Sequence, residues 1–288
     1  MVAIKSKILF LLVCVTGAVW LLLAQVTGNI YLLWPCLVCI AAFLAWAAVK
    51  GMVIPALLFF LPFAPLLKLR PGAISFYTIA LIGVYLIYVV LGSRNINIYH
   101  FIPGLCLIAL IMVVKTAYGF PLDRSFILFS ISLLFAPFLS RELDQKYDFY
   151  WLTMLFSFGI VLAAITSQYL VIFPTISRYI ETWSILNVTR LSGYYGDPNF
   201  YSTHITTALS GVLILLLNQP KRSQIITLIL TAIALLYCGF LAVSKSFLLV
   251  AVLILLLWVV EFLFRRGKLS AKLMVLLTVT GGDRKSVV

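Results

Sequence analysis

Ile30–Val49 reads IYLLWPCLVCIAAFLAWAAV, an unbroken apolar run with no charged residue. At about 1.5 Å per residue a helix of that length reaches about 30 Å, the hydrocarbon thickness of a bilayer. A second such run, Ile8–Ala24, lies before it behind Lys5 and Lys7. Alone it could pass for a secretory signal. So many similar stretches follow that it reads as a first span. They fall at Met52–Leu67, Ala73–Leu91, Phe101–Val114, Phe126–Leu139, Phe149–Phe173, Phe200–Leu217, Ile225–Val243 and Phe247–Phe264, and a last one runs from Ala271 to Thr280. The reading is all-α: a polytopic helical membrane bundle of about 10–11 spans.

Composition agrees. Of 288 residues 64% are hydrophobic and 10% charged, and mean hydropathy is +1.17. A soluble domain carries about 25% charged residues, and a disordered chain is polar and poor in aromatics. The net charge of +13 would suggest nucleic acid in a soluble protein. Here the charges stand singly between apolar runs, so no nucleic-acid partner is expected. Pro55, Pro62, Pro65 and Pro71 crowd the third span and its exit, where a kinked or broken helix is expected. Cys36 and Cys39 form a CxxC among apolar neighbours without further metal ligands, so helix packing explains them.

Lys and Arg placement orients the chain. With a cytoplasmic amino terminus the inner loops hold twelve of the 21, including Lys221–Arg222 and the Arg265–Lys272 cluster, and the outer loops hold nine. An outer face this basic fits either snorkelling helix ends or a surface that meets an anion such as a lipid phosphate. The organisation is then spans over 1–173, an outer loop over 174–199, core helices over 200–280 and a short polar tail over 281–288.

The outer loop contains Arg190-Leu-Ser-Gly193-Tyr-Tyr-Gly196-Asp197-Pro198-Asn199. Asp197–Pro198 is a helix start: Asp caps free N–H groups and Pro suits the first helical position. Gly193 and Gly196 permit positive φ or close approach of backbone to a ligand. A helix amino terminus beside Arg190 is a ready anion site. In the helix that follows, Thr203, Thr207 and Ser210 share a stripe that suits either a polar lining or helix–helix contact. His204 is ionisable within a span, which marks a candidate site. Thr153, Ser157, Ala164 and Gln168 form a second stripe, and Ser244–Lys245–Ser246 is a tight turn that holds Lys245 at the outer surface.

These residues resemble the O-antigen ligase and polysaccharide polymerase family, in which an Arg, a Gly and a Gly-x-Pro-Asn-like turn are followed about fifty residues later by a Ser-Arg-small turn. The resemblance covers about Arg190–Leu249, with Lys245 in place of the usual Arg: the charge is kept and the bidentate fork lost. Family members continue into another large outer loop and further spans, so the ending Gly281–Val288 implies a truncated chain. The resemblance implies a metal-independent glycosyltransferase without cofactor at the outer face of the bacterial plasma membrane. Its donor would be an oligosaccharide on undecaprenyl pyrophosphate, and its acceptor a glycan or glycolipid. Arg190, Lys245, Arg178 and Arg70 would neutralise the leaving pyrophosphate, with Gly193, Gly196 and Asn199 shaping its site. His204 or Asp197 would take the acceptor proton. The rival class is a transporter or flippase of lipid-linked sugars. Ion-coupled transporters usually carry acids inside spans, and none of the eight acids here falls mid-span.

Overall fold

The computed structural model describes residues 4–68, 75–92, 101–119, 130, 148–177, 184–185, 188–218 and 220–265. Helices α1 (Ile4–Thr27) and α2 (Ile30–Val49) are the first two apolar runs, joined at Gly28–Asn29. The Asn29 side chain accepts the Tyr31 N–H at 2.9 Å and caps α2. The third run divides as its prolines require. Helix α3 covers Val53–Phe60, and a 3₁₀ segment continues over Leu61–Leu66. An α-helical continuation would set Pro65 against the Leu61 carbonyl, and proline has no N–H to offer.

Helices α4 (Phe76–Gly92) and α5 (Ile102–Ala117) match the next two runs, and α5 carries no buried residue. Then come α6 (Phe149–Leu170), a helical turn at Pro174–Ser177, and an antiparallel two-residue ladder, β1 (Ser184–Ile185) with β2 (Val188–Thr189). Helices α7 (Pro198–Leu217), α8 (Arg222–Leu241) and α9 (Lys245–Arg265) complete the described chain. Among the described residues five helices are long and apolar enough to cross a membrane: α1 from Lys7, α2, α6, α7 and α8. Val53–Leu66, α5 and the Phe247–Phe262 part of α9 are shorter apolar stretches. The expected runs at Phe126–Leu139 and Ala271–Thr280 lie outside the described residues, Ser130 apart.

Helix α6 is the wall between two cores. Its Leu155 and Ala163 pack with α1–α4, and its Phe156, Ile160 and Ala164 pack with α7–α9. The second stripe is mostly buried in this wall: Thr153, Ser157 and Ala164 are interior, while Gln168 faces outward. Cys36 is buried and Cys39 exposed, so the CxxC divides between inside and outside. Many large apolar side chains point outward, among them Leu23, Trp46, Ile226, Leu230 and Leu257. That surface is what a hydrocarbon solvent requires.

At one end of the bundle Lys7 pairs with Asp148 at 3.2 Å, so α1 and α6 begin together. The other end gathers the close of α1, the 3₁₀ segment, the close of α6 and the start of α7. There Gln25 Nε2 donates to the Leu66 carbonyl at 2.6 Å, Thr175 Oγ1 to the Val26 carbonyl at 2.7 Å, and Tyr194 Oη to Thr166 Oγ1 at 2.9 Å.

Candidate functional site

The residues before α7 fold back over this end and bind the turn between α8 and α9. The Leu191 N–H donates to the Leu241 carbonyl at 2.9 Å, and Arg190 Nε to the Ala242 carbonyl at 3.0 Å. Both acceptors lie at the carboxyl end of α8, where carbonyls lack helical partners and the dipole favours a cation. Across the turn, Ser244 Oγ donates to Asn199 Oδ1 at 2.9 Å and accepts the Phe247 N–H at 3.3 Å, capping α9. Arg190, Asn199 and the Ser244–Lys245 turn are thus brought together across about half a hundred residues of chain. Lys245 is exposed beside this cluster.

Arg190 is only 9% exposed, and among the described residues no carboxylate pairs with it. Its Nε is held by the Ala242 carbonyl, so the guanidinium brings a positive charge to the loop–turn contact. The amino ends of α7 and α9 meet at the same place through the Ser244–Asn199 bond. Two positive helix ends therefore add to the two side-chain cations.

Asp197 has the extended backbone of a cap residue (φ −111°, ψ 117°), and its Oδ1 accepts the Asn199 N–H at 2.7 Å. One carboxylate oxygen is committed to the helix start. Gly193 and Gly196 adopt φ of +56° and +73°, the left-handed region that the loop sequence anticipated. A Cβ on Gly193 would also stand 2.7 Å from the buried ring of Tyr201. Tyr201 in turn donates to the Ile160 carbonyl at 2.6 Å, locking α7 against α6.

His204 lies on another side of α7. Five residues at about 100° each set it about 140° around the helix from Asn199. Its ring stacks on Tyr195 at 4.8 Å between centroids and meets Phe156 edge-on at 6.2 Å. Nδ1 lies 2.9 Å from the Phe200 carbonyl. A carbonyl only accepts, so in neutral imidazole the hydrogen sits on Nδ1 and Nε2 carries the lone pair. The Tyr195 hydroxyl donates to the Leu61 carbonyl, the group that proline leaves short of a helical donor. Burial pushes the Tyr195 phenol above its ordinary pKa, and the Tyr194 phenol likewise despite its bond to Thr166, so both stay protonated donors at neutral pH.

The threonine stripe bonds its own helix. Thr203 and Thr207 point outward, and they bond the carbonyls one turn back, at Asn199 and Thr203, at 3.0 and 2.8 Å. Arg70 and Arg178, the other expected cations, lie outside the described residues. Sequence reasoning passed over Tyr195 and Ser244 as site members. The Ser-x-Ser turn signalled Ser244, but nothing local signals that Tyr195 would reach Leu61. Against protein-family models, curated proteins and solved structures, the chain matches none.

Proposed function

We propose that this chain is a multi-pass enzyme of the bacterial plasma membrane, with its amino terminus cytoplasmic, that transfers or polymerises oligosaccharide from an undecaprenyl-pyrophosphate donor at the outer face. One observation carries the reading: the Arg190–Asn199 loop and the Ser244–Lys245 turn, distant in sequence, are hydrogen-bonded to each other. They form a cationic corner where two helix amino ends meet at one end of the bundle. A pyrophosphate matches that corner in charge and can accept hydrogen bonds from Arg190. The apolar helices suit a membrane-spanning chain, the Lys and Arg distribution supports an inner amino terminus, and the Lys7–Asp148 pair keeps the starts of α1 and α6 at one end.

In the reaction the acceptor hydroxyl oxygen bonds to the anomeric carbon as the bond from that carbon to the pyrophosphate oxygen breaks. Arg190 and Lys245 stabilise the negative charge that collects on the leaving group, and the hydroxyl proton passes to a base, either His204 Nε2, which lies about 140° around α7 from Asn199, or the Asp197 carboxylate at the helix start. Asp197, committed to the helix cap, is the weaker candidate base. A groove of about 270 Å³ between α2, α3 and α4, lined among the described residues by Ile40, Leu44, Phe60, Tyr77 and their apolar neighbours, suits a lipid chain.

The test is Arg190→Ala in cells. The variant is expected to reach the membrane at the normal level and to lose polymer or ligated glycan. Arg190→Lys, which keeps charge without the fork, is expected to retain part of the product. Glycan of normal length and amount in Arg190→Ala would overturn the reading.

A further inference from the structure

The α8–α9 connection turns sharply: the Val243 N–H closes α8 on the Phe240 carbonyl at 3.0 Å. Val243 has φ +45°, and it is the one non-glycine residue with positive φ among the described residues. A β-branched side chain is the least suited to that region, and such strain persists only where the surroundings impose it. The surroundings here are the loop before α7. On one side of Val243 the loop holds the Leu241 and Ala242 carbonyls through Leu191 and Arg190. On the other side it holds Ser244 through Asn199. Ser244 is completely buried and caps α9, so Lys245, the first residue of that helix, has its backbone set by the same bond. Asn199 is exposed and caps nothing itself; what its side chain does in this structure is accept the Ser244 hydroxyl.

We propose that Asn199 and Ser244 are positioning residues: their bond clamps the strained turn and aims Lys245 at the anion that Arg190 holds. The inference rests on the headgroup reading above and adds which residues make Lys245 effective. A flexible lysine on a loose turn is a weak anion ligand, because each encounter must order its side chain anew. A lysine on a turn fixed at both ends has its backbone ordered in advance.

Two measurements on the full chain in detergent micelles test this. In the first, Cys39 and Cys106 are replaced by serine, Lys245→Cys carries a nitroxide label, and its mobility is read by electron paramagnetic resonance. Ser244→Ala or Asn199→Ala is expected to convert an immobilised spectrum into a mobile one, and Ser244→Thr to keep it immobilised. In the second, with Lys245 intact, binding of inorganic pyrophosphate is measured by calorimetry. Each alanine variant is expected to weaken binding by about tenfold, the double variant no further, and Ser244→Thr to restore it. Asn199→Ala alters an exposed side chain, so it reports even if the buried Ser244→Ala fails to fold. A freed label with unchanged pyrophosphate affinity overturns the positioning role and leaves the headgroup reading standing. An immobile label in both alanine variants overturns the clamp. A wild-type chain that does not bind pyrophosphate overturns the headgroup reading and the positioning role together.

Discussion

The two halves of this bundle use polar groups for different ends. In the α1–α4 half, polar side chains repair backbone. Gln25 supplies the Leu66 carbonyl, Tyr77 the Leu57 carbonyl and Ser75 the Ala64 carbonyl, all around a proline-broken segment with too few N–H donors. In the α6–α9 half, Leu191, Arg190 and Ser244 join a loop to a distant turn, hold a valine at positive φ, and leave a nearly buried cation without a carboxylate among the described residues. Repair ends in satisfied groups. The loop–turn contact instead gathers Arg190 and Lys245 at two helix amino ends, with no carboxylate paired to Arg190 among the described residues.

Arg190→Ala gives the largest expected effect: a loss of glycan product of 100-fold or more, about 3 kcal/mol of transition-state stabilisation, with little change in membrane level. Tyr77→Phe, the matched change in the other half, is expected to cost about 1 kcal/mol of stability and leave product formation unaltered. Product yield together with thermal unfolding in detergent checks both. Equal functional losses would erase the distinction between the halves.

Next in size is Gly239→Ala. A Cβ there would lie 2.0 Å from the ring of Phe247, across the α8–α9 contact that carries the turn. The variant is expected to lose about 3 kcal/mol, and Phe247→Ala in the same chain to recover part of it. Unfolding midpoints of the single and double variants decide this, and a chain indifferent to Gly239→Ala would separate the turn from the helix contact beneath it.

Much of the scaffold was legible in the sequence because long uniform apolar runs read directly as helices. Ile30–Val49 appears as α2 with the same bounds, and Phe149 opens α6 as expected. Asp197 caps a helix that starts at Pro198, since both signals are local. The division of the third run is a proline effect and was likewise readable. The site was legible only in its parts. Arg190, Asn199 and Lys245 stood out as residues, but the Arg190 bond to Ala242 spans 52 positions and no local pattern encodes it. Tyr195 was opaque for the same reason, with 134 positions between it and Leu61. Helical spacing gave the threonine stripe a face but not its neighbour: Thr203 and Thr207 are exposed and Ser210 half-buried.

Two smaller changes sharpen the contrast. Gly193→Ala places a side chain at φ +56° and against Tyr201, so about 2 kcal/mol is expected to be lost and product to fall with it, as unfolding and glycan yield would record. Val243→Gly removes the β-branched group from its strained position and is expected to raise stability by about 1 kcal/mol, read as a higher unfolding midpoint. A drop in that midpoint would mean that the turn is relaxed and the loop imposes nothing on it.

The most direct measurement of the central claim is mass analysis of lipid-linked glycans in cells lacking this gene, complemented either by the wild-type chain or by Arg190→Ala. Undecaprenyl-pyrophosphate carriers are expected to accumulate glycan in the deletion and with Arg190→Ala, and to be cleared by the wild type. Accumulated single repeats would mark a polymerase, and accumulated full chains a ligase. A carrier pool identical in all three strains would contradict the account.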